Sequence, residues 1–173
     1  VSVLYCHNFS AAIDSMPRRI AVGGDHTIYH VRDELQQFVR DAGADIEVVY
    51  VGPLDANSVD YPDYAVKLCE VIVNKSCELG VLICGTGIGM SLAANKIAGI
   101  RAAVCHDHLT AVLAREHNDA NVLCAGYRIV GMEVIKDMIH AFVKTPFSND
   151  KRHVRRIGKI ETCSSLLPHN ATK

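Results

Sequence analysis

Short apolar segments alternate with helix-forming segments along this chain. The pattern predicts an α/β domain, a five-stranded, mainly parallel sheet with helices on both faces. Three observations carry that prediction. The apolar segments have strand length, and the stretches between them show helical spacing. The connections are short. Residues with usable chemistry collect at the carboxyl ends of the apolar segments, where open α/β sheets bind ligands.

The first strand is Arg18–Gly24 (RRIAVGG), short and apolar, and it runs into Asp25 and His26. Val31, Leu35, Phe38, Val39 and Ala42 then recur at helical spacing and predict a helix over 31–42, stopped by Gly43. Ile46–Val51 reads as the second strand, residues 57–62 as a loop and Tyr64–Cys77 as the second helix. The third strand ends at Cys84. A glycine-rich turn follows, and a third helix is expected over Met90–Ile97. Ile100–Cys105, His108–His117, Ala120–Ala125 and Val130–Lys144 complete the alternation as strand, helix, strand and helix.

The chain has 173 residues, enough for one domain with a substantial core, and 49% of them are apolar. Its net charge of −1 supplies no overall field for nucleic acid or an anionic membrane. No apolar run reaches the ~20 residues of a membrane span. Seven cysteines are present, yet none form a CxxC or zinc-type spacing. Cys69, Cys84, Cys105 and Cys124 lie in or beside apolar segments, which points to a reduced compartment and a cytoplasmic protein. Residues 1–17 read as an extension outside the core. Their lack of a basic start and a long apolar run argues against a secretory signal. Residues 18–160 read as the domain and 161–173 as a tail, whose last three residues match no C-terminal address.

The most informative segment is VLICGTGIGMSLAAN at 81–95. An apolar run ends in Cys84, glycines follow at 85, 87 and 89, and a helix start comes next. Converging N–H groups in such a turn, with a helix N-terminus behind them, favour an anion or an oxygen that becomes one during reaction. They also favour a thiolate at Cys84, which can serve as a nucleophile or a carbon-acid base. The plainer reading of Cys84 is a small buried hydrophobe. Thr86 places a hydroxyl in the same loop, and its plainer role is a helix cap. GTGIG fails the dinucleotide fingerprint on spacing, and no Lys-Ser/Thr pair follows to make a nucleotide loop.

Other residues suit a polar ligand. His117 and Asn118 close the fourth helix, either as a C-terminal cap with Asn118 in a left-handed turn or as an acid–base group beside an amide. Asp25 and His26 pose the same choice between capping and ligand contact. The tract KRHVRRIGK at 151–159 has five Lys or Arg in nine residues. On a helix Arg152 and Arg156 would share a face, and paired guanidinium groups suit bidentate phosphate capture. The alternative is a solvated basic surface. No aromatic residue interleaves the tract, which disfavours nucleic acid.

Taken together, GGDH at 23–26, DYPDYA at 60–65, CGTGIGMSLAANKIAGIRAAVCHD at 84–107, REHNDANVLCAGYRIVG at 115–131 and RHVRR at 152–156 resemble the type B ribose-5-phosphate isomerases and their relatives acting on allose and galactose 6-phosphates. The resemblance implies a Rossmann-like α/β/α sandwich and a homodimer whose active sites draw residues from both subunits. It implies an aldose–ketose isomerase of the pentose phosphate pathway, with no metal and no other cofactor. Carried over by position, Cys84 is the base that moves a proton between the first two sugar carbons through a cis-enediolate. The N–H groups of Gly85, Thr86, Gly87, Ile88 and Gly89 hold the developing oxyanion, and Thr86, counted with the catalytic residues, hydrogen-bonds the same region. His117 helps open the furanose ring and Asn118 contacts the sugar. Asp25, His26 and Tyr61 line the site, and Arg128, Arg152 and Arg156 hold the phosphate.

Two positions depart from the family's pattern. Asp-His is followed here by Thr27 and Ile28, where Ala-Gly is common. Ile88 stands where one branch carries a glutamate base, which leaves Cys84 as the consistent choice. Two other classes stay open at this level. Cys105, His106, Asp107 and His108 are a compact set of possible metal ligands and would suit a metal-dependent hydrolase. A sugar-phosphate or nucleotide sensor would bind without turnover.

Overall fold

The computed structural model describes residues 17–163. In chain order the elements are β1 (Arg18–Gly24), a 3-10 helix (His26–Val31), α1 (Arg32–Asp41), β2 (Ile46–Tyr50), α2 (Tyr61–Val73) and β3 (Leu79–Cys84). There follow α3 (Ile88–Ala94), β4 (Ala102–Val104), α4 (His108–Asn118), β5 (Val122–Gly126), α5 (Met132–Lys144) and α6 (Lys151–Cys163). The strands form one sheet in the order β2-β1-β3-β5-β4, and every neighbouring pair is parallel. The predicted fold class is therefore the observed one. The expectations for residues 1–15 and for the last three residues fall outside the described residues.

Side chains alternate across each strand, so the sheet separates two cores. Ile20, Val22, Val81, Ile83 and Leu123 face α1, α4 and α5, where Leu35, Phe38, Ile135, Met138, Ile139 and Phe142 meet them. Ala21, Leu82, Cys84, Val122 and Cys124 face the other way, toward Leu68 and Cys69 of α2 and Met90 of α3. Central β3 is buried along its whole length, as a parallel strand covered on both faces must be. Each fully buried Leu, Ile or Phe contributes about 1.5–3 kcal/mol from removal of its surface from water.

Several boundaries differ from the sequence expectation, each for a local reason. α2 begins at Tyr61, inside the expected loop, because Pro62 sits in its first turn, where a missing N–H costs nothing. It stops at Val73, and Lys75 then turns with a φ of 63°. α3 starts at Ile88 instead of Met90 and ends at Ala94. β4 keeps three residues at the sheet edge. α6 was not expected as an element. It spans thirteen residues, buries only His153, and passes the predicted domain limit at residue 160 to reach Cys163.

The connection after β1 crosses on the α1 side of the sheet, and the connection after β3 crosses on the α3 side. The crevice between the carboxyl ends of β1 and β3 is thus a topological switch point, the place where this architecture opens to a ligand. Asp25 follows one of these strands and Cys84 ends the other.

Candidate active site

Cys84 is 5% exposed and closes β3 beside Gly126, its register partner on β5. The chain then turns sharply: Tyr127 N–H donates to the Cys84 carbonyl at 2.8 Å and Arg128 N–H to the Gly85 carbonyl at 3.0 Å. Gly87 has a φ of +79°, and its N–H points back to the Cys84 Sγ at 3.1 Å. The loop therefore wraps the sulfur and aims a backbone dipole at it. Ile88 N–H donates to the Thr86 Oγ1 at 3.3 Å, so this hydroxyl does support the start of α3. Two of the five N–H groups expected to hold an oxyanion, those of Gly87 and Ile88, thus have partners inside the loop.

The loop's rim comes from three other elements. Arg128 lies over Gly85, where an added Cβ would sit 3.6 Å from its Cδ. The Tyr61 ring, at the head of α2, lies against Gly89, where an added Cβ would be 2.8 Å from the ring. Val59 N–H donates to His26 Nδ1 at 3.3 Å, which fixes that imidazole beside the segment leading into α2. Asp25 is buried, and its Oδ1 accepts from the Thr27 N–H at 2.9 Å and the Thr27 hydroxyl at 2.6 Å. Its capping role is real, and the threonine that departs from the family pattern strengthens it.

His117 and Asn118 lie elsewhere. α4 leaves the carboxyl end of β4 and runs back, so its last residues reach the edge where the strands begin. Arg101, just before β4, donates through Nε to the carbonyls of Asn118 and Asp119 at 3.1 and 2.9 Å. Asn121, three residues on from Asn118, accepts at its carbonyl from Gly80 N–H at the start of β3. At ~3.3 Å per strand residue, His117 and Cys84 are separated by the length of the sheet, on the order of 15 Å. The left-handed residue that ends α4 is Asp119, with a φ of 44°, and not Asn118 as expected. Asp119 tolerates it because its carboxylate is held by Arg101 and Arg115 at 2.8 and 2.9 Å.

Arg152 and Arg156 go with His117. α6 packs against α4, with the ring of His153 at 4.3 Å from that of His117, centroid to centroid. Glu161 on α6 also meets Arg101 at 2.8 Å. Both arginines are exposed on α6, and Arg152 forms an ion pair with Asp150 at 3.5 Å. The predicted site residues therefore fall into two groups at opposite edges of the sheet. Asp25, His26, Tyr61, Cys84, residues 85–89 and Arg128 occupy the carboxyl edge of the sheet. His117, Asn118, Arg152 and Arg156 occupy the opposite edge.

The possible metal ligands at 105–108 have separate tasks. Asp107 caps α4 through Thr110 N–H at 2.8 Å, and that bond holds its carboxyl below the usual range. Burial pushes the Cys105 thiol up to about 11. His108 pairs with Asp137 at 3.0 Å. Burial likewise raises Cys69 to about 11 and pushes the Cys124 thiol up as well. Among the described residues no group of three or more His, Cys, Asp or Glu is arranged around a metal-sized space. No helix among them is long and apolar enough to cross a membrane.

Comparison with known proteins gives the geometry a family. The model for the ribose/galactose isomerases matches residues 20–160. The chain belongs to the ribose/galactose isomerase family. Ribose-5-phosphate isomerase B of Escherichia coli is 38% identical over 143 residues, which cover 83% of this chain and 94% of that one. D-erythrulose-4-phosphate isomerase of Pectobacterium atrosepticum is 35% identical, over 82% of this chain and 94% of its own length. The type B ribose 5-phosphate isomerase of Trypanosoma cruzi superposes with a TM-score of 0.85 at 51% identity, covering 87% of this chain and all of that one. An isomerase family whose solved members share this sheet makes the crevice at Cys84 a candidate active site.

Proposed function

We propose that this isomerase interconverts ribose 5-phosphate and ribulose 5-phosphate, with Cys84 as the base. The observation that carries the reading is the Cys84 sulfur at the switch point, wrapped by a glycine loop and receiving the Gly87 N–H at 3.1 Å. A backbone donor so placed stabilises charge on the sulfur that a thiolate base requires. The thiolate removes the proton on C2 of the open-chain aldose. The electron pair forms the C1–C2 double bond of a cis-enediolate while negative charge moves to O1. A proton is then delivered to C1, O1 is protonated, and the C2 hydroxyl gives up its proton as the carbonyl forms. No atom is gained or lost and no electron leaves the sugar. N–H groups of the loop stabilise the enediolate oxygen, an effect whose removal typically costs about 10²–10³ in rate.

The functional unit is a homodimer with two shared sites. The two half-sites at opposite sheet edges support this, since one chain cannot bring His117 to the sugar held at Cys84. A two-fold axis places the carboxyl edge of one sheet against the opposite edge of its partner, which meets the need twice. α3, the helix that runs from the Cys84 loop toward that opposite edge, carries the exposed side chains Ile88 and Leu92, 55% and 63% accessible and four residues apart. They supply an apolar face for the contact. In the shared site the partner's Arg152 and the partner's Arg156 hold the phosphate together with Arg128. The partner's His117 opens the furanose ring, and the partner's Asn118 bonds a sugar hydroxyl.

The test is interconversion of the two pentose phosphates by wild type and Cys84→Ala, with allose 6-phosphate and erythrulose 4-phosphate alongside to set the preferred sugar length. Turnover lost in Cys84→Ala with ribose 5-phosphate binding retained is the expected result. Near-full activity in that variant would remove Cys84 from the base's role.

A further inference from the structure

His153 is the one buried residue of α6, 4% exposed on a helix otherwise given to charged and open positions. Its ring lies 4.3 Å from the His117 ring at an angle of 42°, a tilted contact. Ser148 ties the two together. The Ser148 N–H donates to the carbonyl of Glu116, the residue before His117, at 3.1 Å, and its Oγ pairs with the His153 Nδ1 at 2.9 Å. Asp150 N–H donates to the same Oγ at 3.3 Å, which fixes the serine rotamer. The end of α4, the lead into α6 and the His153 ring thus form one hydrogen-bonded corner behind His117.

We propose that His153 is a positioning residue for the ring-opening step: it braces the His117 imidazole from behind. The proposal rests on the reading of His117 given above and adds a residue to it. The groups facing His153 are Asp150, Arg152 and Arg156 on its own segment and His117 across from it on α4. Burial, with the charges of His117, Arg152 and Arg156, holds its pKa below 6.5 against the opposing pull of Asp150. The bracing confines His117 to one orientation, and orientation of an acid–base group sets much of its effect.

Ribulose 5-phosphate offers a way to separate ring opening from proton transfer. Its 5-hydroxyl carries the phosphate, so the ketose cannot close a furanose ring and is always acyclic. Exchange of its C1 hydrogen with deuterated solvent reports proton transfer alone, whereas turnover of ribose 5-phosphate also needs the ring opened. The experiment compares His153→Asn, Ser148→Ala, His117→Asn and the double variant His117→Asn/His153→Asn in both assays. We expect His153→Asn to lower kcat for ribose 5-phosphate about tenfold, with KM within about twofold and C1 exchange near wild type. Ser148→Ala, a gentler change that keeps the backbone bonds, shifts kcat in the same direction and carries the test if His153→Asn fails to fold. The double variant adds little to His117→Asn, because both act through one group. Equal loss of turnover and exchange, a rise in KM alone, an unchanged kcat or a multiplicative double variant would each overturn the brace. If His117→Asn itself keeps full turnover, the ring-opening role falls and the brace with it. If His117→Asn loses turnover while His153→Asn does not, the brace alone falls.

Discussion

Gly87 lies hard against Ala125: a Cβ on Gly87 would stand 2.8 Å from the Ala125 carbonyl carbon, and its φ of +79° is one that L side chains rarely adopt. The contact presses the loop after β3 onto the end of β5 and turns the Gly87 N–H toward Cys84. Gly87→Ala therefore meets both a backbone clash and a strained conformation. Denaturant unfolding should show a loss of about 1–3 kcal/mol, with activity falling by more than stability accounts for. Wild-type stability and turnover in that variant would mean that the loop geometry is not what holds the sulfur.

Arg152 and Arg156 differ from the loop residues in what their loss should change. Arg152→Ala or Arg156→Ala removes a charged hydrogen-bond donor from the phosphate, and KM for ribose 5-phosphate should rise about tenfold or more. kcat falls as well to the extent that phosphate binding aligns the sugar for proton transfer. Steady-state kinetics with inorganic phosphate as a competing ligand checks this. Unchanged kinetics and an unchanged phosphate inhibition constant in both variants would reduce the tract to a solvated surface.

Stability has a pH dependence that starts far from the site. Arg18 donates to both carboxylate oxygens of Glu78 at 2.8 Å, and these bonds hold the Glu78 carboxyl below its ordinary 4.5. The folded value is the lower one, so the unfolded chain binds more protons in acid. The contribution is complete above about 4.5 and is lost as pH falls through the lowered folded value. Both side chains are nearly half exposed, which keeps the effect to at most about 1 kcal/mol. Glu78→Gln should thus be less stable than wild type at neutral pH, with the difference shrinking as pH falls below about 4.5. A difference independent of pH would show that the pair contributes nothing through charge.

The strands and the Cys84 loop were legible in the sequence because burial writes them plainly. β3 is apolar throughout and ends where glycine begins. α6 was not legible as an element, since its thin apolar stripe of Val154, Ile157 and Ile160 lies within a charged tract and the helix buries only His153. The start of α2 was hidden by Pro62, which marks a loop as readily as a first turn. The carboxyl ends of the strands, where the sequence puts its candidate site, follow from the alternation alone. That His117 and Asn118 belong to the other edge follows from α4 running antiparallel to the strands. This consequence of topology becomes visible once Asn121 is seen against Gly80. Thr86 and Asp25 show the limit of reading by residue type, because each spends a side-chain oxygen on a local cap.

In the proposed shared site, Cys84 of one subunit works with the partner's His117. The direct measurement co-expresses Cys84→Ala and His117→Asn chains carrying different tags and assays the purified heterodimer. One of its two sites then combines two altered residues and is dead, and the other combines two native residues and is intact. The heterodimer should recover about half of wild-type turnover, while each parent homodimer stays nearly inactive. A heterodimer no more active than its parents would contradict the shared site.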